Sequence, residues 1–125
     1  MRHLLLAAVG GALGAGARHL ITVSFLAWFG PGFPWATFTV NILGSLLMGA
    51  LVEALMSFSS GADTWRVFLA TGILGGFTTF SAFSLDIWVL YKRGQHIALA
   101  LYLTLSVILS VGALVSGMAF VRALR

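Results

Sequence analysis

The sequence predicts an all-α integral membrane protein with four transmembrane helices, and three observations carry this prediction. Of the 125 residues, 60% are hydrophobic and 8% are charged, whereas about 25% are charged in a soluble domain. Four apolar stretches are separated by short polar or Gly/Pro-rich breaks. Each stretch reaches the roughly 20 residues that a helix needs to cross a hydrocarbon core. A soluble chain this short has too little interior to bury so much apolar surface.

The four predicted helices form one membrane domain over residues 1–125. Their predicted ranges are 4–26, 35–58, 66–90 and 96–121, and the connections are 30–34, 59–63 and 91–95. Four crossings place both termini on the same side of the membrane. The tryptophans fall near the predicted helix ends, as expected of an aromatic belt at the two interfaces; they are Trp28, Trp35, Trp65 and Trp88.

The charges indicate a lipid bilayer as the partner and exclude a nucleic acid. Seven Lys/Arg face three Asp/Glu, for a formal net charge of +4. Most of the basic residues stand at helix ends, where they reach lipid headgroups, and they form no stripe that follows a phosphate backbone. The chain contains no cysteine, which excludes disulfides and thiolate metal sites. We expect the protein in the plasma or inner membrane.

The distribution of basic residues is compatible with insertion in both orientations. The side that holds both termini carries Arg2, Arg66, Arg122 and Arg125, against Lys92 and Arg93 on the opposite side. This bias is weak by the rule that cytoplasmic loops are enriched in Lys and Arg. Small residues are also dense on the first helix, between Gly10 and Ala17, which favours close helix packing and oligomerisation.

Polar residues at membrane depth are candidates for function because each must find a partner there. Asn41 shares one helical face with Thr37, Gly44 and Met48. It either joins two helices by hydrogen bonds or lines a pathway. Glu53 and Asp86 lie towards helix ends, where we expect water to reach them.

The run from Gly72 to Ser84 predicts a third helix that is broken near its centre. Gly75-Gly76 followed by Thr78-Thr79 is poor helix material. A broken membrane helix exposes carbonyls and half-helix ends, which bind ions. The phenylalanines of this run recur every third residue, as in a packing stripe, but they alternate with hydroxyls; they are Phe77, Phe80 and Phe83.

Two further features indicate a polar pathway. Tyr102, Ser106 and Ser110 are spaced by four residues, which aligns their hydroxyls over about 12 Å at the helical rise of about 1.5 Å per residue. Arg18 lies inside the first apolar stretch, where it either snorkels to the interface or draws anions into a vestibule.

These residues predict a protein that is not an enzyme. No phosphate loop, catalytic triad or pair of membrane-buried carboxylates is apparent in the sequence. The groups at mid-depth are amides, hydroxyls and aromatic ring edges, whose positive side faces outward in the ring plane. This inventory argues against an acidic cation filter, although by itself it does not choose an anion over a cation.

Three motifs resemble the Fluc family of fluoride channels, also called CrcB-like proteins. They are residues 10–18 (GGALGAGAR), 37–44 (TFTVNILG) and 75–84 (GGFTTFSAFS), in family order and at family spacing. The resemblance covers essentially the whole chain. One departure is His19, where many relatives have an aromatic residue beside the arginine; it concerns the vestibule.

The resemblance implies an antiparallel, dual-topology homodimer with two pores that passively export fluoride and confer fluoride resistance. The pore would be lined by Asn41, by the ring edges of Phe80 and Phe83, and by hydroxyls; these belong to Thr79, Ser81, Ser84, Tyr102, Ser106 and Ser110. Arg18 would lie at the vestibule. Backbone carbonyls of Gly75 and Thr78 would hold a structural Na⁺ at the dimer interface.

Two alternatives belong to other classes. A small dual-topology, proton-coupled multidrug exporter shares the size and the dimer, but it needs a carboxylate inside the first helix, and this chain has none there. A non-transporting membrane assembly subunit accounts for the small residues, but not for the line of hydroxyls.

Overall fold

The computed structural model describes residues 1–58 and 60–125, and its regular elements are helices. Ser59, the first residue of the predicted turn 59–63, lies outside the described residues. Four helical stretches are long and apolar enough to cross a membrane; they are Arg2–Phe29, Trp35–Leu55, Ala62–Lys92 and His96–Ala123. The chain is therefore a multi-pass membrane protein, as the sequence predicts.

Three of the four spans are continuous helices, and the third is composite. The continuous ones are α1 (Arg2–Phe29), α2 (Trp35–Leu55) and α6 (His96–Ala123). The third span comprises α3 (Ala62–Trp65), a π-helical stretch (Arg66–Leu74), α4 (Gly75–Phe77) and α5 (Phe80–Lys92). We call the two residues between α4 and α5, Thr78 and Thr79, the linking threonines.

The linking threonines have extended backbones, while the glycine pair before them is helical. Thr78 has φ −84° and ψ 161°, and Thr79 has φ −154° and ψ 126°. Gly75 and Gly76 remain in α4 because this turn packs against α1, where Gly76 lies against the backbone of Gly11. Gly76 therefore serves close helix packing, and the extended conformation falls two residues later.

The helix ends differ from the predicted ones for local reasons. α1 runs to Phe29, where Gly30, at φ 75°, donates its N–H to the carbonyl of Leu26 at 2.9 Å. α2 ends at Leu55, three residues before the predicted end. The N–H of Met56 still bonds the i−4 carbonyl of Val52, but those of Ser57 and Phe58 switch to the i−3 carbonyls of Ala54 and Leu55. Such bonds tighten a final helical turn and end it.

α2 and α6 contact each other backbone to backbone. A Cβ added to Gly49 would overlap the carbonyl of Leu114, and one added to Gly117 would overlap the carbonyl of Leu46. Only glycine permits so close an approach, as at other crossings of membrane helices. The two helices therefore form one closely packed pair.

The two ends of this helix pair differ. At one end, Arg93 donates Nη1 to the carbonyl of Pro31 at 3.0 Å, and Phe83, Leu90 and Tyr102 form a buried cluster. At the other end, the C-terminal turns of α2 and α6 meet through ionic side chains. The belt tryptophans are all exposed, at 44–69% of their surface, consistent with their predicted place at the interface.

The expectation that water reaches Glu53 is wrong. Its side chain is 1% exposed, because Arg122 and Arg125 from the end of α6 cover it. Arg122 donates Nη2 at 3.0 Å and Nε at 3.2 Å to the carboxylate, and Arg125 donates Nη2 to the same group. We call these three residues the ionic clamp.

Candidate functional site

Many of the polar residues predicted at membrane depth line one cavity of about 360 Å³ between α2, α5 and α6. Asn41 and Gly44 contribute from α2, together with Met48 from the same predicted face. Ser106 and Ser110 contribute from α6. The remaining wall includes the linking threonines and the rings of Phe80 and Phe83. We call this the central cavity.

Asn41 joins α2 to the backbone of the linking threonines. Its Oδ1 accepts the N–H of Thr79 at 2.8 Å, and its Nδ2 donates to the carbonyl of Thr79 at 3.1 Å. The amide thus pairs with an extended residue as a neighbouring strand would. An asparagine nitrogen carries two N–H groups, so a second N–H remains on the side chain that lines the cavity. Asn41 therefore both joins elements and offers a donor.

The hydroxyls of the linking threonines bond within their own segment. Thr78 donates Oγ1 to the carbonyl of Leu74 at 3.0 Å. Thr79 Oγ1 accepts the N–H of Ala82 at 3.1 Å, as the cap of α5. It also lies 3.3 Å from Ser81 Oγ. These bonds satisfy backbone groups that would otherwise be unpaired in the membrane.

Two carbonyls of this segment lose the donors that a continuous α-helix would give them. In such a helix the carbonyl of residue i accepts the N–H of residue i+4, so Gly75 would pair with Thr79, and Thr78 with Ala82. Here the N–H of Thr79 goes to Asn41 and the N–H of Ala82 goes to the Thr79 hydroxyl. The oxygens of Gly75 and Thr78 are therefore released from helical pairing.

Ser106 has a buried hydroxyl with no protein partner among residues 1–58 and 60–125. The residue is 5% exposed, and its Oγ makes no hydrogen bond with any of them. Leaving such a group unpaired is unfavourable by about 1–3 kcal/mol in proteins, and Ser106 lines the central cavity. An unpaired buried hydroxyl beside a cavity is the arrangement expected of a group that awaits a ligand.

The two phenylalanines occupy contrasting environments. Phe83 is buried at 6% exposure, packed on Tyr102 with ring centroids 5.1 Å apart. Phe80 is 78% exposed and lies 5.7 Å from Phe83 between centroids. Both rings line the cavity. The part of the wall formed by Phe83 is therefore buried inside the chain, and the part formed by Phe80 is exposed on its surface.

Tyr102 connects the central cavity region to a second cavity. The side chain is completely buried, and its hydroxyl donates to Asp86 at 2.9 Å. Asp86 lines a cavity of about 230 Å³ together with Thr37 and Arg93. Asp86 was not among the predicted site residues; its only signal in the sequence is an acidic residue inside an apolar stretch.

Five predicted site residues are not part of the central cavity wall; they are Arg18, Gly75, Ser81, Ser84 and Tyr102. Arg18 donates Nε to the carbonyl of Gly76 at 3.1 Å. Ser84 is exposed and donates Oγ to the carbonyl of Phe80 in its own helix at 3.0 Å. Ser81 is exposed on the same helix. The structure therefore brings Asn41, Thr79, Ser106 and Ser110 together with the rings of Phe80 and Phe83 around the cavity. Arg18 instead contacts the carbonyl of Gly76, in the helical turn before the linking threonines.

A cation at this site would depend on carbonyl oxygens. Nowhere along the described part of the chain do three His, Cys, Asp or Glu side chains gather closely enough to hold a metal ion. The released oxygens of Gly75 and Thr78 are neutral carbonyl ligands, which suit hard monovalent cations.

Comparison with known proteins gives one consistent result. Residues 5–118 match the family model described as "CrcB-like protein, Camphor Resistance (CrcB)". A Sphingopyxis alaskensis protein named fluoride-specific ion channel FluC is 50% identical over 124 residues, covering 99% of this chain and 98% of its own. Proteins of the same name from Erythrobacter litoralis and Cereibacter sphaeroides are 51% and 54% identical, covering 92% and 95% of this chain and 88% and 94% of their own. The fluoride-channel resemblance of the three motifs is therefore confirmed, and the chain belongs to the CrcB-like protein family.

Proposed function

We propose that this protein is a fluoride-selective ion channel that lets fluoride leave the cell passively, down its electrochemical gradient, and so confers fluoride resistance. Relatives that are about half identical over nearly the whole chain carry that channel name. The observation on which the proposal rests is the buried hydroxyl of Ser106, which lacks a partner among the described residues and lines the central cavity.

The cavity holds several donors that could bind an anion. The Oδ1 of Asn41 and the Oγ1 of Thr79 each already accept a backbone N–H, from Thr79 and Ala82. The donors that line the cavity are the second N–H of Asn41 and the hydroxyls of Ser45, Ser106 and Ser110. Hydrogen bonds from such donors replace the water that a small, strongly hydrated anion loses on entering a narrow site.

The aromatic rings add to these donors. Phe80 and Phe83 line the same cavity as the donors, and a ring edge carries the positive part of the aromatic quadrupole. We propose that both ring edges face the ion, and that the exposed hydroxyls of Ser81 and Ser84 extend the pathway along α5. Within residues 1–58 and 60–125, no acidic side chain lines the central cavity.

We propose that two antiparallel copies of the chain complete the pathway. Phe80 exposes 78% of its surface beside polar groups, and the central cavity opens to the outside of a single chain. Lipid tails would leave the hydroxyls there without partners. A second copy inserted in the opposite orientation covers this face and produces two pores, one per chain. The weak Lys/Arg bias permits both orientations.

A structural Na⁺ at the dimer interface fits the released carbonyls. Gly75 and Thr78 each offer an oxygen whose helical donor is bonded elsewhere. Carbonyl oxygens of two chains replace the hydration shell of a monovalent cation. An ion bound there would supply a positive charge beside partially negative helix ends, and it would be structural, not transported.

We also propose an entry route at each side of the pore. The positive charge of Arg18 attracts anions towards the vestibule, over a distance that is limited by salt screening. The Tyr102 hydroxyl bonds Asp86, which lines the second cavity, and the Tyr102 ring packs on Phe83, which lines the central cavity. Together with Ser106 and Ser110, Tyr102 forms the polar track on α6.

Flux from liposomes tests this function. Purified protein is placed in liposomes loaded with potassium fluoride, valinomycin is added to carry the counter-ion, and released fluoride is followed with an ion-selective electrode. Matched liposomes hold potassium chloride. We expect fast fluoride release and little chloride release, without any pH gradient.

Other outcomes contradict the proposal. Absence of release from liposomes that contain folded protein favours the assembly subunit. Transport of organic cations that requires a pH gradient favours the multidrug exporter. Equal fluoride and chloride release removes the selectivity on which the proposed function depends.

A further inference from the structure

The backbone of the linking threonines leaves one more carbonyl without its helical donor, and a side chain from another helix takes it. In a continuous α-helix the carbonyl of Gly76 would accept the N–H of Phe80. Thr78 and Thr79 are extended, which carries Phe80 away along the chain. Arg18 of α1 donates Nε to the Gly76 carbonyl at 3.1 Å instead.

The packing of α1 brings Arg18 to this position. Gly14 precedes Arg18 by one helical turn and lies directly against the backbone of Ile73 and Phe77. Residues four apart share a helix face, so the Arg18 side chain starts from the face that contacts α4. The close approach of the two backbones puts the Gly76 carbonyl within reach of Nε.

The charge of Arg18 also suits this site. The last carbonyls of a helix carry a partial negative charge, and a cationic side chain that bonds them stabilises the helix end. Arginine has five N–H groups, of which Nε carries one. Four N–H groups on the two Nη atoms therefore remain for the vestibule.

We infer that Arg18 is a positioning residue: through its Nε hydrogen bond to the Gly76 carbonyl it fixes α4 and thereby the linking threonines that form one wall of the central cavity. This inference rests on the proposed function only for its effect on fluoride flux. The bond itself is tested by a measurement that does not involve transport.

Two substitutions of nearly equal length separate the hydrogen bond from the charge. In Arg18→Gln the side-chain nitrogen follows the same number of bonds from Cα as Nε of arginine, so it donates from the same place without a charge. Arg18→Met has a similar length and no donor. If charge alone mattered, both variants would be equally defective.

Carbonyl ¹³C NMR reports the bond directly. Only Gly32 and Gly76 precede a phenylalanine in this sequence. Labelling glycine with ¹³C at the carbonyl and phenylalanine with ¹⁵N therefore selects two peptide bonds, 32–33 and 76–77. We expect the Gly76 resonance to move upfield in Arg18→Met and to stay near the wild-type position in Arg18→Gln, with Gly32 unchanged in both as an internal control.

The flux assay then links the bond to the pathway. We expect Arg18→Met to lower fluoride flux per folded protein by about tenfold, the usual effect of losing a hydrogen bond to a charged donor. Arg18→Gln should retain a clearly larger flux than Arg18→Met.

An unmoved Gly76 resonance in Arg18→Met overturns the inference, whatever the flux. Equal flux loss in Arg18→Gln and Arg18→Met, with the Gly76 resonance preserved in Arg18→Gln, overturns the positioning role and leaves a role of charge. If the wild-type protein passes no fluoride, the proposed function fails while the NMR comparison still decides the bond. If Arg18→Met does not fold, the Gly76 resonance of Arg18→Gln decides it.

Discussion

The central cavity and the ionic clamp both place polar groups inside a membrane protein, and they treat these groups in opposite ways. In the clamp, Glu53 is 1% exposed and both of its carboxylate oxygens are bonded by arginines. In the cavity, Ser106 is almost as buried, and its hydroxyl has no partner among the described residues.

The difference separates polar groups that hold the fold from those that await a ligand. A buried charge without a partner is strongly unfavourable, so a clamp must be complete to be tolerated. A single unpaired hydroxyl is less unfavourable, and in the proposed channel it would gain a partner when an ion enters. Stability and transport should therefore respond to different substitutions.

The largest effect should follow from Asn41→Asp, which acts on both fold and transport. The carboxylate still accepts the Thr79 N–H but cannot donate to the Thr79 carbonyl. A charge at membrane depth is unfavourable by about 2.5–3.5 kcal/mol, so anion flux should fall about 100-fold. Liposome flux measures this, with Asn41→Ser as the neutral control. An Asp variant that folds and conducts normally would leave Asn41 with no part in the pathway.

The next largest effect should be on stability alone, from Glu53→Gln. Removing the charge leaves Arg122 and Arg125 as like charges side by side. We expect a clear fall in the thermal unfolding midpoint in detergent, with fluoride flux per folded protein unchanged.

Asp63→Asn is the matched control for Glu53→Gln. Asp63 forms an exposed pair with Arg66 at 3.6 Å, with side chains 87% and 49% exposed, and such surface pairs contribute little. Equal midpoints for the two variants would mean that the clamp does not stabilise the fold.

Ser106→Ala should show the opposite of Glu53→Gln: fluoride flux should fall while the fold is not destabilised. It removes a hydroxyl that has no partner among the described residues, so stability should not fall and should rise by up to about 1–3 kcal/mol. Losing a donor to an anion should lower flux by about tenfold. Ser116→Ala on the exposed side of the same helix is the control, expected to leave both unchanged. A destabilised Ser106→Ala variant with full flux would reverse the comparison.

The smallest effects on fluoride flux are expected from substitutions of the two phenylalanine rings, and these should differ from each other in stability. Phe80→Ile and Phe83→Ile each remove a ring edge worth about 0.5–1.5 kcal/mol, so flux should fall by about threefold to tenfold. Their stabilities should differ, because Phe83 is buried and Phe80 is exposed: a loss of about 1–3 kcal/mol against less than about 0.5. Chemical denaturation beside the flux assay compares them. Normal flux in both would remove the role of the rings.

Much of the fold could be predicted from the sequence because apolar length determines how a chain crosses a bilayer. The four spans follow from runs of apolar residues, and the tryptophans mark their ends. The residues around the central cavity were also predictable, since Asn41, Ser106 and Ser110 are polar groups on otherwise apolar helices, where each must have a role.

The pairings between helices were not predictable, because they depend on the rotation of one helix against another. Nothing in the local sequence indicates that Tyr102 bonds Asp86, that Arg18 reaches Gly76, or that Glu53 lies under the end of α6. The sequence predicts a break over both the glycine pair and the threonine pair, but only the threonines are extended: low helix propensity is overridden at Gly76 by its contact with Gly11 of α1.

The glycine contacts between α2 and α6 have a consequence for the distance between two walls of the central cavity. Asn41 stands on one helix and Ser106 on the other, and the two backbones meet at Gly49 and Gly117 with no side chain between them. Neither helix can move closer, and separating them would open a void along the contact. In the channel that we propose, the distance between these two walls would therefore be set when the chain folds.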